Sequence, residues 1–328
     1  MSTNSWKKAL KESFYSPLEL LDFLEINDDI SKVSFKAMNH FKMIVPKSFA
    51  NRMEKGNIND PLLKQILPAA DEEVVDSDYC SDPLEEKKYN KIPGLLHKYH
   101  GRVLLIAHSS CAVHCRYCFR KEFDYNDNVP GRKDWFKAFN YIRNDSSIEE
   151  VILSGGDPLL NNDDILEFFL KEISQISHVN RVRIHSRIPI VLPERITKTL
   201  LDIFSRYLLD IILVVHANHP NEIDDNITKV LREIHKSGIV ILNQSTMLKG
   251  VNDDPNILYA LNTKLIRART IPYYIHLLDP VSGTKHFNID NAKDIMKKLS
   301  EISSGYMVPI LTREDPGYPS KKWISFHK

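Results

Sequence analysis

Between Arg102 and Leu311, short β-branched apolar runs alternate with helix-length amphipathic stretches, and no other feature restricts the fold as much. The runs are Val103–Ala107, Val151–Leu153, Val182–Ile184, Ile211–His216, Val240–Leu242, Tyr273–Leu277 and Val308–Leu311. Strands linked through helices lie parallel, because a parallel pair needs a crossover that returns the chain to the same end of the sheet. Between two runs, Lys229–Lys236 is amphipathic and Gly238 stands where a C-cap would end a helix, which gives a right-handed crossover. The strands are too few for a complete eight-fold barrel. The expected class is α/β, a partial TIM-like (β/α)6 barrel.

Polar residues gather just after the runs: the cysteines after the first, Gly155-Gly156-Asp157 after the second and His185-Ser186-Arg187 after the third. His216–His219, Asn243-Gln244-Ser245 and Asp279 follow later runs. Loops at the carboxyl ends of such strands converge on one site. The first hundred residues read as helical instead. Ser16-Pro17-Leu18-Glu19 is a capping box with proline in the first turn, and Asp60-Pro61 opens a second helix before Pro68. The acidic, proline-containing stretch from Glu72 to Pro93 reads as a connecting loop. The expected organisation is a helical region with its loop over 1–95, the barrel over 96–290, and a C-terminal helix, strand and tail over 291–328.

With 328 residues, 42% of them hydrophobic, the chain can bury a sizeable core. Lys+Arg 44 against Asp+Glu 43 leaves a net charge of +1, so no global field draws it to nucleic acid or an anionic membrane. There is no apolar leader at the N-terminus and no run long enough to span a bilayer, so a cytoplasmic protein is expected.

Three of the four cysteines fall in Cys111-Ala-Val-His-Cys115-Arg-Tyr-Cys118, unlike a spaced disulfide framework. Three thiolates in one loop can ligate iron or zinc. A closed zinc site needs a fourth protein ligand, which His114 or Cys80 would supply, and the chain would then be a non-catalytic zinc-binding module. An iron–sulfur cluster held by three cysteines keeps one iron open to substrate.

The C-x3-C-x2-C spacing after one strand, with Ser154-Gly155-Gly156-Asp157 after the next, resembles the radical S-adenosylmethionine (SAM) enzymes. The resemblance implies a [4Fe–4S] cluster on Cys111, Cys115 and Cys118, whose free iron chelates SAM and cleaves it to a 5′-deoxyadenosyl radical. Gly155 and Gly156, followed by Asp157, would let backbone approach the methionine amino group. Asp82-Pro-Leu-Glu-Glu, Pro93-Gly-Leu-Leu-His-Lys-Tyr, Cys115-Arg-Tyr-Cys-Phe-Arg, Asn218-His-Pro-Asn-Glu and Ser304-Gly-Tyr-Met-Val-Pro extend the likeness from about Asp82 to Lys321. Together they resemble the lysine 2,3-aminomutases, most of all the short form that supplies β-lysine for modifying elongation factor P.

That resemblance implies pyridoxal 5′-phosphate (PLP) as a further cofactor and assigns roles residue by residue. Lys321 matches the lysine that carries PLP, with Lys322 the alternative one register away, so the C-terminal segment is a PLP-lysine segment. Lys98, Tyr99 and Arg102 match the phosphate site, where two cations and a hydroxyl suit a dianion. Arg120 matches the grip on the substrate carboxylate, a bidentate task that lysine performs poorly. Asp279 and Glu314 match the acidic pair for the distant ammonium, and an enzyme acting on glutamate should show basic or neutral residues there. Tyr117 would pack on adenine and Gln244 would bond to SAM, while His216 and His219 read as structural. The implied reaction moves the α-amino group of L-lysine to the β-carbon and regenerates SAM. A radical SAM and PLP enzyme acting on another amino acid is the alternative.

The longer lysine aminomutases carry a C-terminal extension with zinc-binding cysteines, whereas this sequence stops seven residues after Lys321 and has only Cys80 to spare. The resemblance therefore favours the translation-factor branch. It also implies the (R)-isomer, an electron donor such as a flavodoxin or ferredoxin, and a functional link to the elongation factor P ligase.

Overall fold

The computed structural model describes residues 5–26, 32–125 and 131–326. Ten strands form one sheet in chain order. They are β1 (Asn90–Ile92), β2 (Leu95–Tyr99), β3 (Arg102–His108), β4 (Glu150–Gly155), β5 (Arg181–Ser186), β6 (Asp210–Val215), β7 (Val240–Thr246), β8 (Ile271–His276), β9 (Ile310–Arg313) and β10 (Lys322–Trp323). From β3 to β9 every neighbouring pair is parallel. The apolar runs correspond to these seven strands, as the alternation requires. Antiparallel β1 and β2 extend one end of the sheet and antiparallel β10 the other.

The period of a strand decides which residues reach the site. Along β3, β4 and β6, Leu105, Val151, Leu153 and Leu213 turn outward into the main core under the helices. Their neighbours Leu104, Ile152, Ser154 and Val214 line the inner cavity instead. The helix Asp225–Lys236 buries Ile227, Leu231 and Ile234, and Gly238 ends the turn after it at φ +83°.

The N-terminal helices share the barrel's core. Trp6, Leu20, Phe49 and Leu62 belong to the same buried cluster as Leu105, Leu153 and Ile241. Asp60 caps Pro61–Lys64 by accepting from Leu62 N at 2.8 Å and Leu63 N at 2.9 Å. Ser16 differs from its sequence reading. The helix Pro17–Phe23 does begin there, but the Ser16 side chain makes no capping bond, and the turn closes through its carbonyl, which accepts from Leu20 N. The stretch from Glu72 to Pro93 is more than a connector. It holds β1 and a short helical turn, Glu86–Tyr89, and it delivers Glu72 to Arg116, the two side chains pairing at 2.6 Å with 4% and 1% exposure. No helix among the described residues is long and apolar enough to cross a membrane.

Candidate active site

A cavity of about 290 Å³ opens at the carboxyl ends of the parallel strands. Every site residue named from sequence lines it: Lys98, Tyr99, Arg102, Cys111, Cys115, Tyr117, Cys118, Arg120, Gly155, Gly156, Asp157, Gln244, Asp279, Glu314 and Lys321. Lys322 does not line it; that side chain lies 3.7 Å from Asp315.

The cysteine loop leaves β3 and is pinned to the end of β4. Gly156 N donates to His108 O and Asp157 N to Ser110 O, both at 2.8 Å. A Cβ on Gly155, at φ +111°, would stand 2.7 Å from His108 O, and one on Gly156 would strike the Ser110 backbone. The space a side chain would need is thus filled by the chain itself. The glycines let the cysteine loop close on the strand, a function nearer to hand than the ligand approach read from sequence.

Asp157 is buried and fully engaged. One oxygen accepts from Ser186 Oγ at 2.7 Å and Leu159 N, the other from Arg187 N at 2.8 Å and Ile188 N. Burial pushes its carboxyl up to about 6 despite these bonds. It fixes the loop ends after β4 and β5, so its part is to shape the wall.

Burial, then the neighbouring Cys118, Asp157 and Cys115, drives the Cys111 thiol well up, and burial with Cys115 pushes Cys118 up to about 12. Thiols that raise one another in this way ionise together only when a cationic centre takes them. His114 does not join them: its Nδ1 lies 2.7 Å from Lys42 O and its ring stacks on Phe41. Cys80 is exposed in a bridge to Val281. Neither supplies the fourth ligand of a closed zinc site, whereas three thiols facing a cavity suit a cluster with an open iron.

Behind the thiols lies a buried polar network that sequence reasoning passed over. Arg187 donates to Cys115 Sγ at 2.7 Å, to Gln65 Oε1 at 2.7 Å and to Glu222 Oε2 at 3.0 Å. The Tyr117 hydroxyl accepts from Asn218 Nδ2 at 2.7 Å and sits 3.0 Å from His216 Nε2, so one edge of that ring is already held. Burial lowers His216 to about 3, so it is neutral at physiological pH, and it lines the cavity beside Tyr117. Glu222 caps the loop after β6, accepting from Asn218 N and His219 N. The signal for these residues lay in His185-Ser-Arg187 and Asn218-His-Pro-Asn-Glu222, polar runs at strand ends.

At the opposite end, Lys321 Nζ lies 3.2 Å from His276 Nε2 and 3.8 Å from Glu314. Burial lowers Lys321 to about 8, against the pull of Glu314 and Asp279. Asp279 is pushed up to about 7 by burial and by Glu314. Burial raises Glu314 too, but Lys321 and Lys98 more than offset it and hold that carboxyl below its usual range. Lys98 Nζ meets the Glu314 carboxylate at 2.7 Å. Burial, then the Glu314 carboxylate beside it, pushes the Tyr99 hydroxyl up, and the Arg102 guanidinium lies over its ring at 4.6 Å. A hydroxyl gathered with the two cations Lys98 and Arg102 fits an anionic ligand. Arg120 gives Nε and Nη2 to Glu86 at 2.7 and 2.6 Å, and Nη1 to Ser154 Oγ at 3.1 Å.

Residues 105–258 match the Radical SAM superfamily. Over 323 residues the chain is 43% identical to the L-lysine 2,3-aminomutase of Escherichia coli K12, covering 98% of this chain and 94% of that protein. This chain belongs to the lysine 2,3-aminomutase family of radical SAM enzymes. The Haemophilus influenzae L-lysine 2,3-aminomutase is likewise 43% identical, with 94% of its length covered. The Clostridium subterminale relative is 34% identical and only 76% covered, so this family member matches the shorter relatives in length. Membership carries with it an isomerase, a [4Fe–4S] cluster and SAM, and it removes the zinc-module alternative.

Proposed function

We propose that this enzyme is a PLP-dependent L-lysine 2,3-aminomutase that makes (R)-β-lysine for the modification of elongation factor P. The observation that carries the substrate assignment is the polarity of the cavity. Arg120 stands beside the cysteine loop, and the Asp279–Glu314 pair stands beside Lys321. An α-amino acid with a distant ammonium matches that order of charges. A substrate with an acidic or apolar side chain would leave two buried carboxylates without a cation.

When bound, the cluster and SAM supply a radical that abstracts hydrogen, and PLP supplies a conjugated system that spreads the unpaired electron during nitrogen migration. Cys111, Cys115 and Cys118 would hold the cluster. Gly155, Gly156, Asp157, Tyr117 and Gln244 would form the wall against SAM. Lys321 would carry PLP, and its lowered pKa of about 8 makes the free amine accessible near neutral pH. Lys98, Tyr99 and Arg102 would take the phosphate, and in doing so Lys98 would leave Glu314.

Glu314, once released, and Asp279 would then receive the substrate ammonium. Arg120 gives Nε and Nη2 to Glu86 and Nη1 to Ser154 Oγ, which leaves one N–H on each Nη. Those remaining N–H groups would hold the substrate carboxylate and position the β-carbon for hydrogen abstraction. The enzyme would work in the cytoplasm with an electron donor of the flavodoxin or ferredoxin class, and its product would pass to the elongation factor P ligase.

The test is anaerobic incubation of reconstituted enzyme with L-lysine, SAM, PLP and a reductant, followed by chiral mass spectrometry. (R)-β-Lysine supports the proposal. Accumulation of 5′-deoxyadenosine without β-lysine would leave the radical chemistry standing and overturn the substrate.

A further inference from the structure

Arg187 is an uncommon neighbour for a cluster ligand. It is 7% exposed and reaches the Cys115 sulfur at 2.7 Å through Nη1. Its Nη2 is held by Gln65 at 2.7 Å and by Glu222, a carboxylate with 0% exposure, at 3.0 Å. Its backbone N–H is held in turn by Asp157, and its guanidinium lies 5.4 Å from the Phe49 ring. Arginine stays protonated in proteins, and a fork held on one side by a carboxylate and an amide presents its remaining donor in a fixed direction. The ion pair is therefore an oriented dipole, with its positive end on Cys115 and its negative end farther away.

We infer that Arg187 is a tuning residue that raises the reduction potential of the cluster held by Cys115. The inference rests on the reading of Cys111, Cys115 and Cys118 as the cluster ligands. One-electron reduction adds one negative charge to the cluster and its thiolates. A cation hydrogen-bonded to one of those sulfurs stabilises the reduced form more than the oxidised form, and bonds to sulfur are among the factors that set such potentials. The cluster must be reduced before SAM is cleaved, so Arg187 lowers the demand on the electron donor. Glu222 and Gln65 act through Arg187 by fixing its direction.

The test is an EPR-monitored redox titration of anaerobically reconstituted enzyme without SAM, on wild type, Arg187→Gln and Arg187→Lys. Iron and sulfide are counted first. Wild-type enzyme without a cluster would sink the ligand assignment itself, separately from the tuning. Arg187→Gln should shift the reduction equilibrium toward the oxidised form by tenfold or more, equivalent to 59 mV for one electron. Arg187→Lys keeps the charge but cannot span both Glu222 and the sulfur, so its shift has the same sign and is smaller. If Arg187→Gln takes up no cluster, Arg187→Lys decides by the same sign.

Arg195 supplies the control. It is also buried, but its donors go to Leu159 O, Asn161 O and the Asp163 carboxylate and none goes to a cysteine, so Arg195→Lys should leave the potential where it is. An unchanged or raised potential in the Arg187 variants, or an equal shift in Arg195→Lys, overturns the inference.

Discussion

Replacing Asp279 with asparagine tests how the enzyme handles the charge of its substrate. In the free protein, burial and then Glu314 push the Asp279 carboxyl up to about 7, with Lys321 opposing. A substrate ammonium placed between Asp279 and Glu314 favours the ionised form of both. Truncating one member of a buried charge pair costs about 2–5 kcal/mol. At about 1.4 kcal/mol per decade, kcat/KM for L-lysine should fall by roughly 30- to 4000-fold. Binding of an analogue with a methyl group in place of the ammonium should change far less.

The pH dependence follows with its sign. Lysine affinity of the wild type should rise as pH passes through about 7, where Asp279 ionises, and that rise should vanish in the variant. The folded pKa lies above the ordinary 3.8, so between 3.8 and about 7 the native state binds more protons than the unfolded chain. Stability contributed by this group is therefore lost as pH climbs through that window. Ligand-free Asp279→Asn should melt higher than wild type above pH 7, with the advantage gone below pH 3.8. Steady-state kinetics, isothermal titration and thermal melts across pH read these effects. Equal losses for lysine and the uncharged analogue would refute the reasoning, because the defect would then be one of shape.

Three further outcomes are expected. Lys321→Ala should lose the visible absorbance of covalently held PLP and the mass adduct fixed by borohydride, while Lys322→Ala keeps both. Gly156→Ala forces a Cβ into the Ser110 backbone, an overpacking that costs about 1–3 kcal/mol. Its melting temperature and bound iron should both fall. Arg120→Lys cannot serve Glu86 and the substrate carboxylate at once, so KM for lysine should rise about tenfold or more, with kcat changed less.

The barrel was legible because β-branched runs separated by amphipathic stretches leave a chain little choice but parallel strands. β1 and β2 were not, for each carries a lysine, Pro93 falls between them, and β2 pairs only because β3 offers an edge, with β1 added on β2. The cysteines and glycines could be found as local motifs. Glu86, Arg187, Glu222 and Gln65 could not be paired from sequence. Each is a polar residue whose meaning depends on a partner 34, 72, 35 or 122 positions away. The same limit explains the reading of the glycines. Sequence shows that a side chain is unwelcome, but only the fold shows that Ser110 occupies its place.

The cavity holds its charges in pairs, and the pairs are those that the proposed ligands would exchange. Lys98 is held by Glu314 and Arg120 by Glu86. Leaving any of these ions unpaired in a buried site would cost several kcal/mol, so an empty pocket with separated charges would threaten the fold. A phosphate arriving at Lys98 returns a carboxylate to the cavity, and a substrate ammonium is the cation that the carboxylate then lacks. Under this reading the order of binding is built into the charges: Glu314 is free for lysine only after Lys98 has found another anion. The part of Asp279 fits the same logic. With its carboxyl pushed up to about 7, it can stay protonated while the site waits and ionise when the ammonium arrives. On this reading the cavity would meet a dianionic phosphate and a substrate with three charged groups by exchanging partners, with few bare ions at any stage.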